Sequence, residues 1–171
     1  MYWVEPGRLL AGGYPGHADP GVARRTLCGL LDCGVSAVVN LMEEAPRGTP
    51  AYAGPLQELA QAQGRSLVLE AFPIEDHEVP DPQALDRLLG WIAAHTRTGG
   101  RVYAHCWGGR GRTGVLAGAW LLARGLADSE GVLGAIARLR QGAPGASPET
   151  PEQAAFLQSL TLTPRLTGTG R

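Results

Sequence analysis

Ten residues carry the chemistry of this chain: His105-Cys106-Trp107-Gly108-Gly109-Arg110-Gly111-Arg112-Thr113-Gly114. They fall between a short apolar run, Arg101 to His105, that reads as a strand and an apolar run at 112–123 that reads as a helix. A cysteine at a strand end meets a loop with three glycines. Without side chains, those residues let backbone N–H groups turn inward around an anion. The following helix aims its N-terminus, with its partial positive charge, at the same place. Arg112 opens that helix, from where its planar guanidinium can hold two oxygens of one phosphate. The same positive field favours Cys106 as an anionic sulfur, the nucleophilic form. The residue types describe an anion cradle with a nucleophile at its base.

Cys-x5-Arg followed by Thr-Gly is a specific pattern. Residues 105–114 match His-Cys-x5-Arg-[Ser/Thr]-Gly at each specified position. Here the chain resembles the cysteine-dependent protein tyrosine phosphatase superfamily, in its small dual-specificity branch. The low-molecular-weight branch places its nucleophile near the N-terminus, unlike position 106. The resemblance implies that Cys106 attacks phosphorus and forms a phosphocysteine. It implies that Arg112 binds the phosphate and the transition state, and that the Thr113 hydroxyl assists the thiolate. On the residues alone, Thr113 reads as a helix cap. His105 takes a supporting role behind the loop, and Trp107, Gly108, Gly109, Arg110, Gly111 and Arg112 surround the phosphate. Trp107 is unspecified in the family and reads as a packing residue. The implied substrates are phosphomonoesters, with phosphotyrosine first and phosphoserine or phosphothreonine beside it. No metal or organic cofactor is implied.

Such a reaction needs a proton for the leaving oxygen and then a base to activate water. The resemblance puts one Asp in both roles, on a loop upstream of the nucleophile. The acidic loop Pro73-Ile74-Glu75-Asp76-His77-Glu78-Val79-Pro80 fits that place. Asp76, soon after a strand and Pro73, is the first choice, with Asp81 and Glu75 behind it. Asp81 precedes Pro82 and also reads as the N-cap of a helix. The remaining acids form a solvated rim.

Two further segments match. Val39-Asn40-Leu41 resembles the strand ending in Asn-Leu of many small dual-specificity phosphatases. Pro148 to Gln153 resembles a late segment in which Gln153 orients the hydrolytic water. Thr150 and Gln153 also have capping-box spacing around Pro151, and this is the preferred reading. Arg110 supports two readings: a second cation that favours multiply anionic substrates, as in phosphoinositide phosphatases, or an exposed residue at a loop tip. A third possibility is a module that recognises phosphate without hydrolysing it; the intact Cys106, Arg112 and Asp76 set argues against it.

Gly109-x-Gly111-x-x-Gly114 also satisfies a dinucleotide-binding fingerprint. That motif needs a second strand ending in an acidic residue, and Asp128 sits instead between two helical patterns. A nucleotide P-loop needs Gly-Lys, and all 15 basic residues are Arg.

These residues must be positioned by alternating elements. Strands are expected at 8–11, 35–41, 66–72 and 101–105, and helices at 19–33, 55–63, from Pro82 to Gly99, 112–123, 128–140 and 151–160. Asp19-Pro20 and Gly34 mark a helix start and stop. Val35 to Leu41 is nearly continuously apolar, as in a strand buried on both faces. The expected fold is α/β: a single domain with a central, mostly parallel sheet of 4–5 strands flanked by helices, of the protein tyrosine phosphatase type. Its expected extent is 1–162, with 163–171 a frayed tail.

The 171 residues are 44% hydrophobic and 18% charged, enough for a packed core. Fifteen basic against sixteen acidic residues leave a net charge of −1, with no platform for nucleic acid or an anionic membrane. Three cysteines are too few for a disulfide scaffold and badly spaced for zinc. Cys28 and Cys33 read as packing residues. No basic-then-apolar leader opens the chain, and the expectation is a cytoplasmic protein without a membrane anchor. The partner is a phosphorylated protein or small molecule, and oligomeric state is left open.

Overall fold

The computed structural model describes residues 1–43 and 48–161. Five strands and six helices run in the order β1 (Tyr2–Glu5), β2 (Leu9–Gly12), α1 (Pro20–Asp32), β3 (Ala37–Asn40), α2 (Ala53–Ala62), β4 (Val68–Ala71), α3 (Pro82–Arg97), β5 (Val102–His105), α4 (Gly111–Ala123), α5 (Val132–Leu139) and α6 (Pro151–Ser159). The expected tail, and the expected boundary at 162, lie outside the described residues. Among the described residues, no helix is long and apolar enough to cross a membrane.

Three of the six described helices are started by local side-chain caps. Asp19 accepts from Gly21 N and Val22 N ahead of α1, and Asp81 accepts from Ala84 N ahead of α3, each with Pro at the first helical position. Thr150 and Gln153 form the expected capping box around Pro151. The helix expected at 128–140 begins later, at Val132. Asp128 spends its carboxylate on Gly131 N and closes a turn instead. The expected strand at 35–41 narrows to Ala37–Asn40.

The sheet order is β1-β2-β5-β3-β4, parallel except for β1, which pairs antiparallel with β2. β1 was not expected from the sequence. It is four residues long and turns back through Pro6 and Gly7, whose φ of 74° suits a tight turn. Glu5 then ties it to α4, accepting from Trp120 Nε1 at 2.8 Å and pairing with Arg124 at 3.1 Å.

Side-chain alternation divides the core. Leu9, Ala11, Ala37, Val39, Val102 and Ala104 face α3–α6, whereas Leu10, Val38 and Tyr103 face α1 and α2. Both faces of the middle strands are covered, so their sequence reads as an unbroken apolar run. α4 is buried nearly all round, which its uniformly apolar sequence requires. The parallel strands end together at one edge of the sheet. Gly12, Asn40, Ala71 and His105 are in register there, and the loops that follow build the site.

Candidate active site

Past His105 the chain leaves β5 and wraps over the N-terminus of α4. Cys106, Trp107, Gly108, Arg110, Gly111 and Arg112 line a cleft of about 410 Å³ together with Asp76, His77 and Glu149. A larger groove of about 500 Å³ runs between α1 and α2, lined mainly by apolar side chains. Its lining includes no cysteine, whereas Cys106 lines the smaller, polar cleft, which is the candidate site.

The base of the cleft belongs to the core. Cys106 is 3% exposed, His105 0%, and Arg112 6%. Gly109, at φ 67°, does not line the cleft. It presses onto the end of β2, where a Cβ would lie 2.6 Å from Gly12 O and Gly13 N. Tyr14 N donates to Trp107 O at 2.9 Å, and the Thr113 hydroxyl donates to Gly12 O at 3.4 Å. The β2 end is therefore a backbone buttress for the loop. Thr113 does not cap α4 as its sequence suggested. Arg110 holds the N-cap position without a side-chain hydrogen bond to the helix amides, which leaves the first amides of α4 for a ligand.

His105 is held from both sides. The period of two places it on the α2 face with Tyr103, whose ring stacks on it at 5.8 Å. Its Nδ1 lies 3.1 Å from Cys106 O, and its Nε2 lies 2.7 Å from the Tyr52 hydroxyl. A carbonyl can only accept, so Nδ1 carries the proton and Tyr52 donates to Nε2. Burial, with a smaller push from Arg112, lowers the His105 pKa to about 4, against the pull of the Cys106 carbonyl. The imidazole is thus neutral and fixes the first carbonyl of the loop. Burial pushes the Tyr52 hydroxyl up, with Tyr14 adding to it, so it stays a donor. Nothing local in the sequence marks Tyr52 for this position.

Arg112 connects the cradle to the acidic loop. Its Nη1 donates to Ile74 O at 3.1 Å and its Nη2 pairs with Asp76 Oδ1 at 2.8 Å. Its buried Nε has no hydrogen-bond partner among the described residues. Of the acidic candidates, Asp76 alone lines the cleft. Asp81 caps α3 at 2.8 Å from Ala84 N. Asp76 precedes His77, whose φ of 67° turns the loop sharply, and its side chain is 66% exposed.

Arg110 is not a free loop tip. Its Nη2 pairs with Glu149, and Gly145 packs against its guanidinium. Glu149 is a cleft residue that sequence reasoning missed; it begins the Glu-Thr-Pro segment ahead of α6. Gln153 is fully buried behind Gly111 and does not line the cleft. Its Oε1 accepts from Glu149 N at 3.1 Å and Thr150 N at 3.3 Å, and its Nε2 donates to Glu78 O at 3.1 Å. It joins the acidic loop to the start of α6. Asn40 braces its own loop, accepting from Met42 N at 3.0 Å.

Comparison with known proteins agrees with this architecture. The chain is similar to Tk-PTP in its active form, with 29% identity, a TM-score of 0.62 and 92% coverage of each chain. It shares the fold of PTPMT1, crystallised in complex with PI(5)P, at 20% identity and a TM-score of 0.68 over 91% of this chain and 90% of that one. An uncharacterized protein of Methanocaldococcus jannaschii, MJECL20, is 33% identical over 85 residues, half of this chain and 54% of that protein. The chain thus matches only about half the length of that curated relative. Residues 1–157 match the family described as PTP-SAK, the Swiss Army Knife DSP-PTPase phosphatase domain, and the chain belongs to that family, within the small dual-specificity branch of the cysteine-dependent phosphatases.

Proposed function

We propose that this chain is an active phosphomonoester hydrolase working through a phosphocysteine, with phosphotyrosine as its main substrate and phosphoserine or phosphothreonine also accepted. One observation carries the reading: Cys106, Arg112 and Asp76 line a single cleft at the N-terminus of α4. Sequence separates the acid from the nucleophile, and the sheet edge brings them together.

In the resting chain Asp76 sits on the Arg112 guanidinium. An incoming phosphate competes for the same donors and frees the carboxylate, which takes up a proton from water and turns toward the leaving group. The Cys106 sulfur attacks phosphorus; the S–P bond forms as the ester P–O bond breaks, and Asp76 gives its proton to the departing oxygen. Water then attacks the phosphocysteine while Asp76 takes a proton from it. The S–P bond breaks, releasing inorganic phosphate and returning the thiolate; to assist it, the Thr113 hydroxyl turns its one proton from Gly12 O to the sulfur. Arg112 and the loop amides carry the equatorial oxygens throughout. His105, fixed by Tyr52, holds the loop in register.

Arg110 supports the second reading, a phosphoinositide or other polyphosphate substrate. Its guanidinium lines the cleft, but Glu149 already neutralises it, so a second anionic group must first displace that carboxylate. The phosphotyrosine reading needs no such exchange. Turnover of a phosphotyrosine peptide against an inositol phospholipid headgroup decides between them.

The central test is Cys106→Ser with an aryl phosphate. Turnover should fall by more than roughly 10³-fold. Retained turnover removes the nucleophile. A wild-type chain that binds phosphate without any vanadate-sensitive hydrolysis is a recognition module instead.

A further inference from the structure

The mouth of the cleft carries one apolar plate. Trp107 is 51% exposed, although it follows directly on the buried Cys106. The other lining residues are charged or polar side chains, Cys106, and glycines. A large aromatic ring left in water beside an anion site calls for an explanation, because burying it would gain apolar contact.

Packing does not supply that explanation. The indole meets Tyr14 at a centroid distance of 5.6 Å and a tilt of 40°, and half of it stays open. Loop anchoring does not either, since the bond from Tyr14 N goes to the Trp107 carbonyl, which any residue supplies. Tyr14 itself is well fixed. Its hydroxyl donates to Pro50 O at 3.0 Å, and its ring meets Tyr52 and His105 edge-on at 5.2 and 5.7 Å. The indole therefore lies on a rigid aromatic backing and keeps a surface for something else.

A phosphate bound over Cys106 must direct its ester oxygen and leaving group out through this mouth. We infer that Trp107 is the specificity-determining residue for the leaving group, stacking on flat, apolar groups such as the phenol ring of a phosphotyrosyl residue. This deepens the hydrolase reading and rests on the same cleft. The chemistry is sequence-tolerant, since a π-face accepts any flat ring of suitable size.

The test uses 2-naphthyl phosphate and inorganic phosphate as probes. Binding is measured by calorimetry on the Cys106→Ser chain, with and without Trp107→Ala. The alanine variant should weaken naphthyl phosphate by about five- to tenfold, and by at least fivefold more than inorganic phosphate. Trp107→Phe should restore most of the loss. In the otherwise wild-type chain, Trp107→Ala should raise KM for naphthyl phosphate with little change in kcat. Equal weakening of both probes overturns the inference, because the side chain then only supports the loop. Unchanged naphthyl phosphate binding overturns it too, as does failure of the Cys106→Ser chain to bind naphthyl phosphate at all. Selective weakening in a chain whose wild type hydrolyses nothing keeps Trp107 as the stacking surface for a flat ring and removes the hydrolase reading with its leaving group.

Discussion

The cradle and the acidic loop face each other across one cleft, yet they are built on opposite terms. The cradle is an extension of the core. His105 and Thr113 are fully buried, Gly109 lies against Gly12–Gly13, and the loop leads directly into the buried helix α4. The acidic loop lies on the surface. Its side chains at Glu75, Asp76, His77 and Glu78 are exposed, and across the cleft it is held by Arg112 on Ile74 O and Asp76 and by Gln153 on Glu78 O. A phosphate site must be preorganised to stabilise developing charge. An acid that gives a proton and later takes one back must change position or partner during the cycle. The molecule spends its packing on the cradle and leaves the proposed proton carrier on the surface.

Arg112 belongs to both regions, so of the changes that probe this contrast its removal should produce the largest effect. Arg112→Ala should lower kcat/KM by on the order of 10³-fold. It should also abolish inhibition by inorganic phosphate, because the anion donors and the loop tether go together. A variant that keeps its phosphate affinity would show that the cradle works without this guanidinium and would break the division drawn above.

The support beneath the cradle should be sensitive to acid. The His105 pKa is about 4 in the folded chain, against 6.5 for the free side chain. On acidification the unfolded chain therefore takes up the proton first. The stability tied to neutral His105 is full above pH 6.5 and is lost as pH falls from 6.5 to about 4; below that it is flat. The loss amounts to ~3 kcal/mol. Urea unfolding at a series of pH values checks the slope, and an NMR titration of the His105 ring checks the group. A ring that titrates at its free value in the folded chain removes the prediction.

The acidic loop should respond differently. Asp76→Asn should reduce kcat by about 10²-fold. Phosphate inhibition should stay the same or tighten, since the variant also takes a competing carboxylate off Arg112. Weakened phosphate binding would mean that the loop helps to build the anion site, contrary to the contrast.

What could be read in the sequence follows the range of the interactions. Asp19-Pro20, Asp81-Pro82 and Thr150-Pro151 start helices through contacts within four residues, so local spacing revealed them. The cradle was legible because strand end, glycine loop and helix start are contiguous. β1 escaped because four residues with a Pro-Gly turn carry little periodicity, although Tyr-Trp-Val ahead of Pro6-Gly7 was a usable sign. Tyr52 on His105, Glu149 on Arg110 and Glu78 on Gln153 join positions distant in the chain. Nothing at either residue announces its partner. The choice of Asp76 depended on a resemblance; among the candidate acids it alone lines the cleft.

The smallest expected effect concerns the link between the loop and α6. Thr150→Ala removes half of the capping box and leaves the bond from Gln153 Nε2 to Glu78 O; Gln153→Ala removes both. Each should cost about 1 kcal/mol of stability, with Gln153→Ala the greater. If Gln153 acts only through the cap and the tether, both variants should keep kcat within a few-fold of wild type, with no change in the burst of leaving group. If it orients the hydrolytic water, Gln153→Ala alone should accumulate phosphocysteine, seen as a larger burst followed by slower turnover. The geometry favours the first outcome: Oε1 already accepts from two backbone N–H groups and Nε2 already donates across to the loop. Rapid-quench kinetics on the two variants, side by side, separates a residue that ties the acidic loop to the start of α6 from one that takes part in the proposed second chemical step.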